Sequence, residues 1–182
     1  YQSICGVMPD LSTFGKAVAN GYPLGVLGGK QKYMAYFAHS DKSKRVLMAG
    51  TYNGHPVPVA AAIATVKLLR ENEAALYDDL EAKGARLQAG IEEAFQDAGI
   101  VSTTVRQGSA FVTYFMDHAP ISWTDVAKHH DMEFDKRYRL ALADEGVFQF
   151  PLATKQGSIS TAHTNADVDE TIAAVKRAIV RL

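Results

Sequence analysis

Pro9-Asp10-Leu11-Ser12-Thr13-Phe14-Gly15-Lys16-Ala17-Val18-Ala19-Asn20-Gly21-Tyr22-Pro23-Leu24-Gly25 decides how the first part of this chain folds. Glycine and proline interrupt it too often for a helix, and the apolar runs between them are short, so it reads as brief strands joined by tight turns. The pattern continues through Val26-Leu27-Gly28-Gly29. A turn-rich stretch of this kind is a natural place for a site, and Lys16 is the only lysine between Pro9 and Gly25.

Working outward, residues 39–56 are polar and then turn-rich, ending in Gly50-Thr51-Tyr52-Asn53-Gly54-His55-Pro56. The alanine-rich sequence from Val57 to Arg70 follows and reads as a helix with proline near its start. Thr51 brings a hydroxyl to that entry, and Gly50, Tyr52 and Asn53 bring backbone N–H groups, donors suited to phosphate oxygens near a helix start. An ordinary turn leading into a helix has the same composition.

Farther on, Leu76, Leu80, Leu87, Ile91 and Phe95 recur at helical spacing, predicting one amphipathic helix over 74–98 that Gly99 ends. Ile100 to Val105 and Ala110 to Phe115 predict two strands turning around Gly108. Ser122 and Asp125 have capping-box spacing ahead of a helical region, interrupted or not, reaching Asp144 and stopped by Gly146. Val147 to Phe150 and Ser158 to Thr161 predict two further strands. Thr164 and Asp167 repeat the capping-box spacing before a last helix carrying Val168, Ile172, Val175 and Ile179. The expected organisation is residues 1–75 as the end of one domain and residues 76–182 as a small α+β domain.

The 182 residues are 47% hydrophobic and 21% charged, an ordinary globular composition. Nineteen Lys+Arg against 20 Asp+Glu give a net charge of -1, without the basic footprint of a nucleic-acid binder or an anionic-membrane binder. Cys5 is the only cysteine, which rules out an intramolecular disulfide, a CxxC redox pair and a multi-cysteine zinc site. No apolar run approaches the roughly 20 residues of a bilayer span, and the first residues lack the pattern of a signal peptide. The expected location is the cytoplasm.

Several chemistries fail on spacing. Gly25-Val26-Leu27-Gly28-Gly29-Lys30 is one residue short of a Walker A loop, and Gln31 stands where Ser or Thr would bind magnesium. No GxGxxG lies between a strand and a helix with an acidic residue beyond it. Gly108-Ser109-Ala110 is a turn rather than a nucleophile elbow. His129 and His130 are adjacent, point to different faces of a helix and have no HExxH partner, so no metal site is assigned. His163, between a strand and a helix cap, reads as structural.

The opening stretch resembles the PDLxxxGKxxxxGxPxG segment of subgroup III aminotransferases and glutamate-1-semialdehyde aminomutases. Gly50-Thr51-Tyr52-Asn53-Gly54-His55-Pro56 resembles their GTxxGxP or FTYSGHP segment, with Asn53 in place of the usual serine. Ser160-Thr161-Ala162-His163-Thr164, with Asp167 and Asp169, is similar to the aminomutase-like SxAHTxxDxD segment. Three matches in the family's order, spread over essentially the whole chain, are more specific than any one of them.

The resemblance implies an α/β fold of the PLP-dependent transferase, aspartate aminotransferase-like kind, of which this chain would be the C-terminal portion with its small α+β domain. It implies pyridoxal 5'-phosphate (PLP) as cofactor, Lys16 as the catalytic Schiff-base lysine, and Thr51 and Gly50 as cofactor-binding residues acting across the interface of a homodimer. The substrate class would be a small amino acid or amine, and the reaction amino-group transfer by an aminotransferase or an aminomutase. The chemistry suits the residue types: an aldehyde cofactor needs an amine to hold it, and a lysine desolvated beside glycine turns and an apolar strand is biased toward its neutral, reactive form. The family's aspartate, ring-stacking aromatic and phosphate loop lie upstream of its lysine segment and have no counterpart among the 15 residues before Lys16. The chain is therefore expected to be part of a longer enzyme, with a noncatalytic, truncated aminotransferase-like module that binds another chain as the alternative.

Overall fold

A computed structural model of the chain describes residues 2–182. They form two compact units that divide between Glu73 and Ala74. Among the described residues, no helix is long and apolar enough to cross a membrane.

The first unit is built on a two-stranded antiparallel hairpin, β1 (Leu11–Phe14) and β2 (Val26–Gly29), in register from Leu11 opposite Gly29 to Phe14 opposite Val26. Gly29 is required here, because a β-carbon would sit 2.5 Å from the Asp10 carbonyl oxygen. That close approach lets the Lys30 N–H donate to the Asp10 carbonyl while its ammonium meets the Asp10 carboxylate at 2.7 Å. The short helix α1 (Gln31–Met34) follows, and after a polar stretch α2 (Pro56–Glu71) closes the unit. The turn between β1 and β2 packs against α2.

In the second unit α3 (Glu73–Asp97, its first residue belonging to the other unit) leads into β3 (Thr103–Gln107) and β4 (Ala110–Tyr114), which pair antiparallel around Gly108. Then come α4 (Trp123–His129), α5 (Met132–Asp144), the two-residue strand β5 (Gly157–Ser158) on the free side of β4, and α6 (Asn165–Ile179). The core gathers Leu87, Ile91 and Phe95 of α3 with Phe111, Tyr138, Leu142 and Val175. Phe95 meets Phe115 and Tyr138 edge-on, each at 5.2 Å between ring centroids. Two glycines let α3 approach its neighbours. A β-carbon on Gly84 would stand 2.5 Å from the Gly108 carbonyl oxygen, and one on Gly90 would overlap the Ile172 side chain of α6.

Buried polar groups set the path of the chain around this core. Asp135 is completely buried and accepts hydrogen bonds from Arg139 Nε (2.6 Å), the Thr154 N–H (2.7 Å) and His130 Nε2 (3.1 Å). His130 Nδ1 accepts the Phe115 N–H at 2.9 Å, so the neutral ring carries its proton on Nε2 and donates it to Asp135. Arg139 also donates to the Phe150 and Lys155 carbonyls. Thr154 has φ +63°, a left-handed backbone held in place by its bond to Asp135.

Most expected elements form. The helical region over 122–144, expected interrupted or not, is interrupted at His130-Asp131, where Asp131 caps α5 by accepting the Phe134 N–H. Val147 to Phe150 form no strand; Arg139 takes the Phe150 carbonyl that a ladder would use, and Phe148 and Phe150 are exposed. The strand expected over 158–161 is only Gly157–Ser158. At α6 the capping box is complete, Thr164 accepting from the Asp167 N–H and Asp167 from the Thr164 N–H. At α4 it is half made: Ser122 accepts from the Asp125 N–H, but the Asp125 carboxylate accepts from Ile121 instead.

Three measurements test this packing. Asp135→Asn should lower unfolding stability in urea by about 3–5 kcal/mol, because Arg139 then keeps a buried charge without its counter-charge. Burial alone would raise the Asp135 carboxyl, but His130, Arg139 and the Thr154 N–H outweigh it and hold the group below its ordinary value. Its stabilisation is therefore complete above the ordinary carboxylate range and lost as pH falls through the depressed value, so the urea midpoint of the variant should fall less on acidification than that of the parent. Gly90→Ala should lower the melting temperature although alanine favours helix by about 1 kcal/mol, and adding Ile172→Ala should remove the overlap penalty in a double-mutant cycle. Among the described residues the buried Tyr138 hydroxyl has no partner, so Tyr138→Phe should stabilise the chain by about 1 kcal/mol.

Candidate active site

Lys16 heads a single 3-10 turn, Lys16–Ala19, immediately after β1. Its φ of +51° puts a non-glycine residue in the left-handed region, and Asn20 at the end of the same turn has φ +44°. Such conformations are costly for ordinary L-residues and concentrate where a side chain must be aimed. Ala19, completely buried, anchors the turn. Lys16 itself lines one end of an open cavity of about 570 Å³ whose other walls are Ala17 and residues 20–24. Among the described residues its ammonium has neither an ion pair nor a hydrogen-bond partner in the chain.

The expected desolvation of this lysine is not provided locally: Lys16 is exposed. The glycine turns beside it carry no side chains to cover it, and β2 is occupied in pairing with β1.

A second cavity of about 410 Å³ is lined by Tyr22, Pro23, Tyr52, His55, Val57 and Pro58. Tyr22 and Pro23 are common to both cavities, so the turn after Gly50-Thr51 adjoins the far wall of the lysine cavity. Gly50 and Thr51 line neither, and both are exposed. The structure therefore does not place these two residues at Lys16 of the same chain.

The donor set of that turn is narrower than the sequence implied. Asn53 spends its N–H on the Gly50 carbonyl at 3.0 Å. The start of α2 offers little to an anion, since Pro56 and Pro58 have no N–H and the Val57 N–H donates to His55 Nδ1. Among the described residues, the Thr51 hydroxyl and the N–H groups of Gly50, Thr51 and Tyr52 have no partner in the chain. An amine beside an open cavity and a separate set of free hydroxyl and N–H donors suit the aldehyde and the phosphate of PLP respectively, so the residues present fit that group.

In the second unit several polar residues have structural work. Arg106 on β3 forks onto both Glu81 carboxylate oxygens (2.6 and 2.8 Å) and also donates to Gln88 and the Gly108 carbonyl, leaving no face for a substrate carboxylate. The pairing with Arg106 holds the Glu81 carboxyl below its usual range. His163 Nδ1 accepts the Ser160 N–H at 3.0 Å and stitches the turn before α6, as its position between strand and cap suggested.

One constellation escaped the sequence reading. His118, on the link after β4, meets Asp125 of α4 at 3.1 Å, and His129, one helical turn beyond Asp125, meets the same carboxylate oxygen at 2.9 Å. The Ile121 N–H and then His118 hold the Asp125 carboxyl down at about 2. The adjacent His129 and His130 point to different faces as expected, His129 to this cluster and His130 to the buried Asp135. The available signal was Asp125 and His129 at i, i+4 with a second histidine seven residues earlier.

Comparison with known proteins agrees with the residue pattern. Residues 1–179 match the model of the family described as aminotransferase class-III. The glutamate-1-semialdehyde 2,1-aminomutase of Laribacter hongkongensis is 37% identical over 181 residues, covering 100% of this chain and 41% of that protein. An ω-transaminase from Sphaerobacter thermophilus superposes with a TM-score of 0.82 at 28% identity, over 98% of this chain and 40% of its own. A PLP form of the FumI protein from Sphingopyxis sp. MTA144 superposes with a TM-score of 0.78 at 30% identity, over 99% and 38%. The chain thus spans about two fifths of the length of the relatives it matches. With the family model covering residues 1–179 of its 182, the chain belongs to the class-III aminotransferase family.

Proposed function

We propose that this chain is the C-terminal part of a cytoplasmic, homodimeric PLP enzyme that transfers amino groups of small amino acids or amines, with Lys16 as the residue that carries the cofactor. The observation that carries the reading is the left-handed Lys16 at the head of an anchored turn, which lines an open cavity and whose ammonium has no partner among the described residues. The aminomutase branch is favoured by the 37% identity to the Laribacter enzyme.

PLP, when bound, supplies the electron sink that weakens bonds at the amine-bearing carbon of a substrate. The chain's own residues do the rest. Lys16 Nζ would hold the cofactor covalently and, once displaced by the substrate amine, would carry a proton between the amine-bearing carbon of the substrate and the cofactor. The Thr51 hydroxyl and the free N–H groups around it receive phosphate oxygens of the partner subunit's site, which explains why they are exposed and apart from Lys16 of their own chain. Residues 20–24 shape the space beside the reacting amine.

Homodimerisation is supported by the state of the first unit. Ala19 and Pro58 are its only buried apolar residues among those described, while Leu47, Met48, Tyr52 and Val57 are at least half exposed. A unit so poor in core needs cover from more protein.

Borohydride reduction of the protein with PLP, followed by peptide mapping, should find the label on Lys16, and Lys16→Ala should lose it. Label scattered over other lysines would overturn the assignment. Thr51→Ala should weaken PLP binding roughly tenfold, the value of a hydrogen bond to a charged group. Mixing Lys16→Ala with Thr51→Ala chains should regenerate one intact site per mixed dimer; no recovery in a verified mixed dimer would place Thr51 outside the partner's site.

A further inference from the structure

We propose that His118, Asp125 and His129 form a binding site for a divalent transition-metal ion of the zinc, cobalt and nickel class, ligated by His118 Nε2, Asp125 Oδ1 and His129 Nδ1. The site lies wholly in the second unit and is independent of the amino-transfer reading.

The first support is convergence. One ligand atom from each residue lies within 4.8 Å of the other two, and the two imidazole nitrogens stand 3.1 and 2.9 Å from the same Asp125 oxygen. Tetrahedral zinc with nitrogen and oxygen ligands at 2.0–2.2 Å holds them about 3.3 Å apart. The two nitrogen–oxygen distances need to grow by only a few tenths of an ångström to match, and the two nitrogens lie within 4.8 Å of each other. Two imidazoles and one carboxylate are a donor set for borderline metals rather than for calcium or magnesium.

The surroundings add a second support. His118 Nδ1 lies 2.6 Å from Asp117 Oδ1, so its other nitrogen is the one turned toward the cluster. The other oxygen of Asp125, Oδ2, accepts the Ile121 N–H at 3.0 Å and also lies 3.2 Å from His118 Nε2. Metal-binding histidines and carboxylates are characteristically held from behind in this way, which fixes the tautomer and the aim of each ligand. The Asp125 side chain is 10% exposed while both histidines remain open to water, giving a rigid base with room for further ligands.

Proton accounting gives the third. Both ring nitrogens of His118 face carboxylates, but a neutral imidazole has one N–H, so one contact would set a lone pair against a carboxylate oxygen. An ion between His118 Nε2 and Asp125 resolves this, with Nδ1–H left to donate to Asp117. A second proton on His118 is the competing solution.

Titration of the PLP-free chain at neutral pH decides between them, with Co2+ followed by visible absorption and Zn2+ by calorimetry. One ion per chain is expected, with the ligand-field bands of a low-symmetry cobalt site. His118→Ala and His129→Ala should each weaken that binding by tenfold or more, and Asp117→Asn, which touches no metal, by about 10–100-fold. His163→Ala should leave it unchanged. Because Asp125 also ties Ile121 to the start of α4, the histidine variants carry the test, with circular dichroism confirming that they fold. Absence of saturable binding, or binding indifferent to His118→Ala and His129→Ala, would overturn the proposal and leave the proton as the occupant.

Discussion

The second unit depends on a single buried carboxylate. Asp135 ties together three segments: the end of β4 through His130 and the Phe115 N–H, helix α5 through Arg139, and the irregular loop before β5 through the Thr154 N–H. A buried charge is tolerable only when its hydrogen-bonding capacity is filled, and here all three donors come from different directions. The arrangement fixes where α4 must end, because His130 has to leave the helix to reach both partners. That break in turn leaves His129 on the outside beside Asp125. One polar node therefore sets both the core geometry and the surface constellation.

The first unit obeys a different constraint. Its hairpin is specified by close backbone approach at Gly29 and by the Asp10–Lys30 contacts rather than by a packed interior. The result is a local frame that can place Lys16 in an unfavourable backbone conformation without enclosing it. A reactive amine held this way has its direction fixed by its own chain, while its electrostatic surroundings depend on whatever closes over it.

Much of the fold was legible because the relevant signals are periodic or local. Leu87, Ile91 and Phe95 announce the buried face of α3, Gly108 the hairpin turn, and Thr164 with Asp167 the start of α6. Lys16 and the Gly50-Thr51 turn stand out as motifs, and both lie within the residues that the family model matches. What could not be read depends on distant partners. Asp135 and Arg139 at i, i+4 look like an ordinary surface pair, and only the fold reveals that both are buried. Val147 to Phe150 carry the β-branched and aromatic residues of a strand, yet Arg139 claims the Phe150 carbonyl. The Asp125 carboxylate has the spacing of a capping box and is diverted to Ile121 and two histidines.

The two close approaches along α3 bear on how this sequence can change over evolutionary time. Gly84 fits under the Gly108 carbonyl and Gly90 under Ile172, so the helix meets two neighbours at two fixed points of its length. Inserting or deleting a residue between them would rotate one point by about 100° relative to the other, and no side chain smaller than glycine exists to compensate. Lineages of this domain should therefore accumulate length changes elsewhere, in the connections around residues 117–121 and 147–156, while the segment from Gly84 to Gly90 keeps its length as its composition drifts.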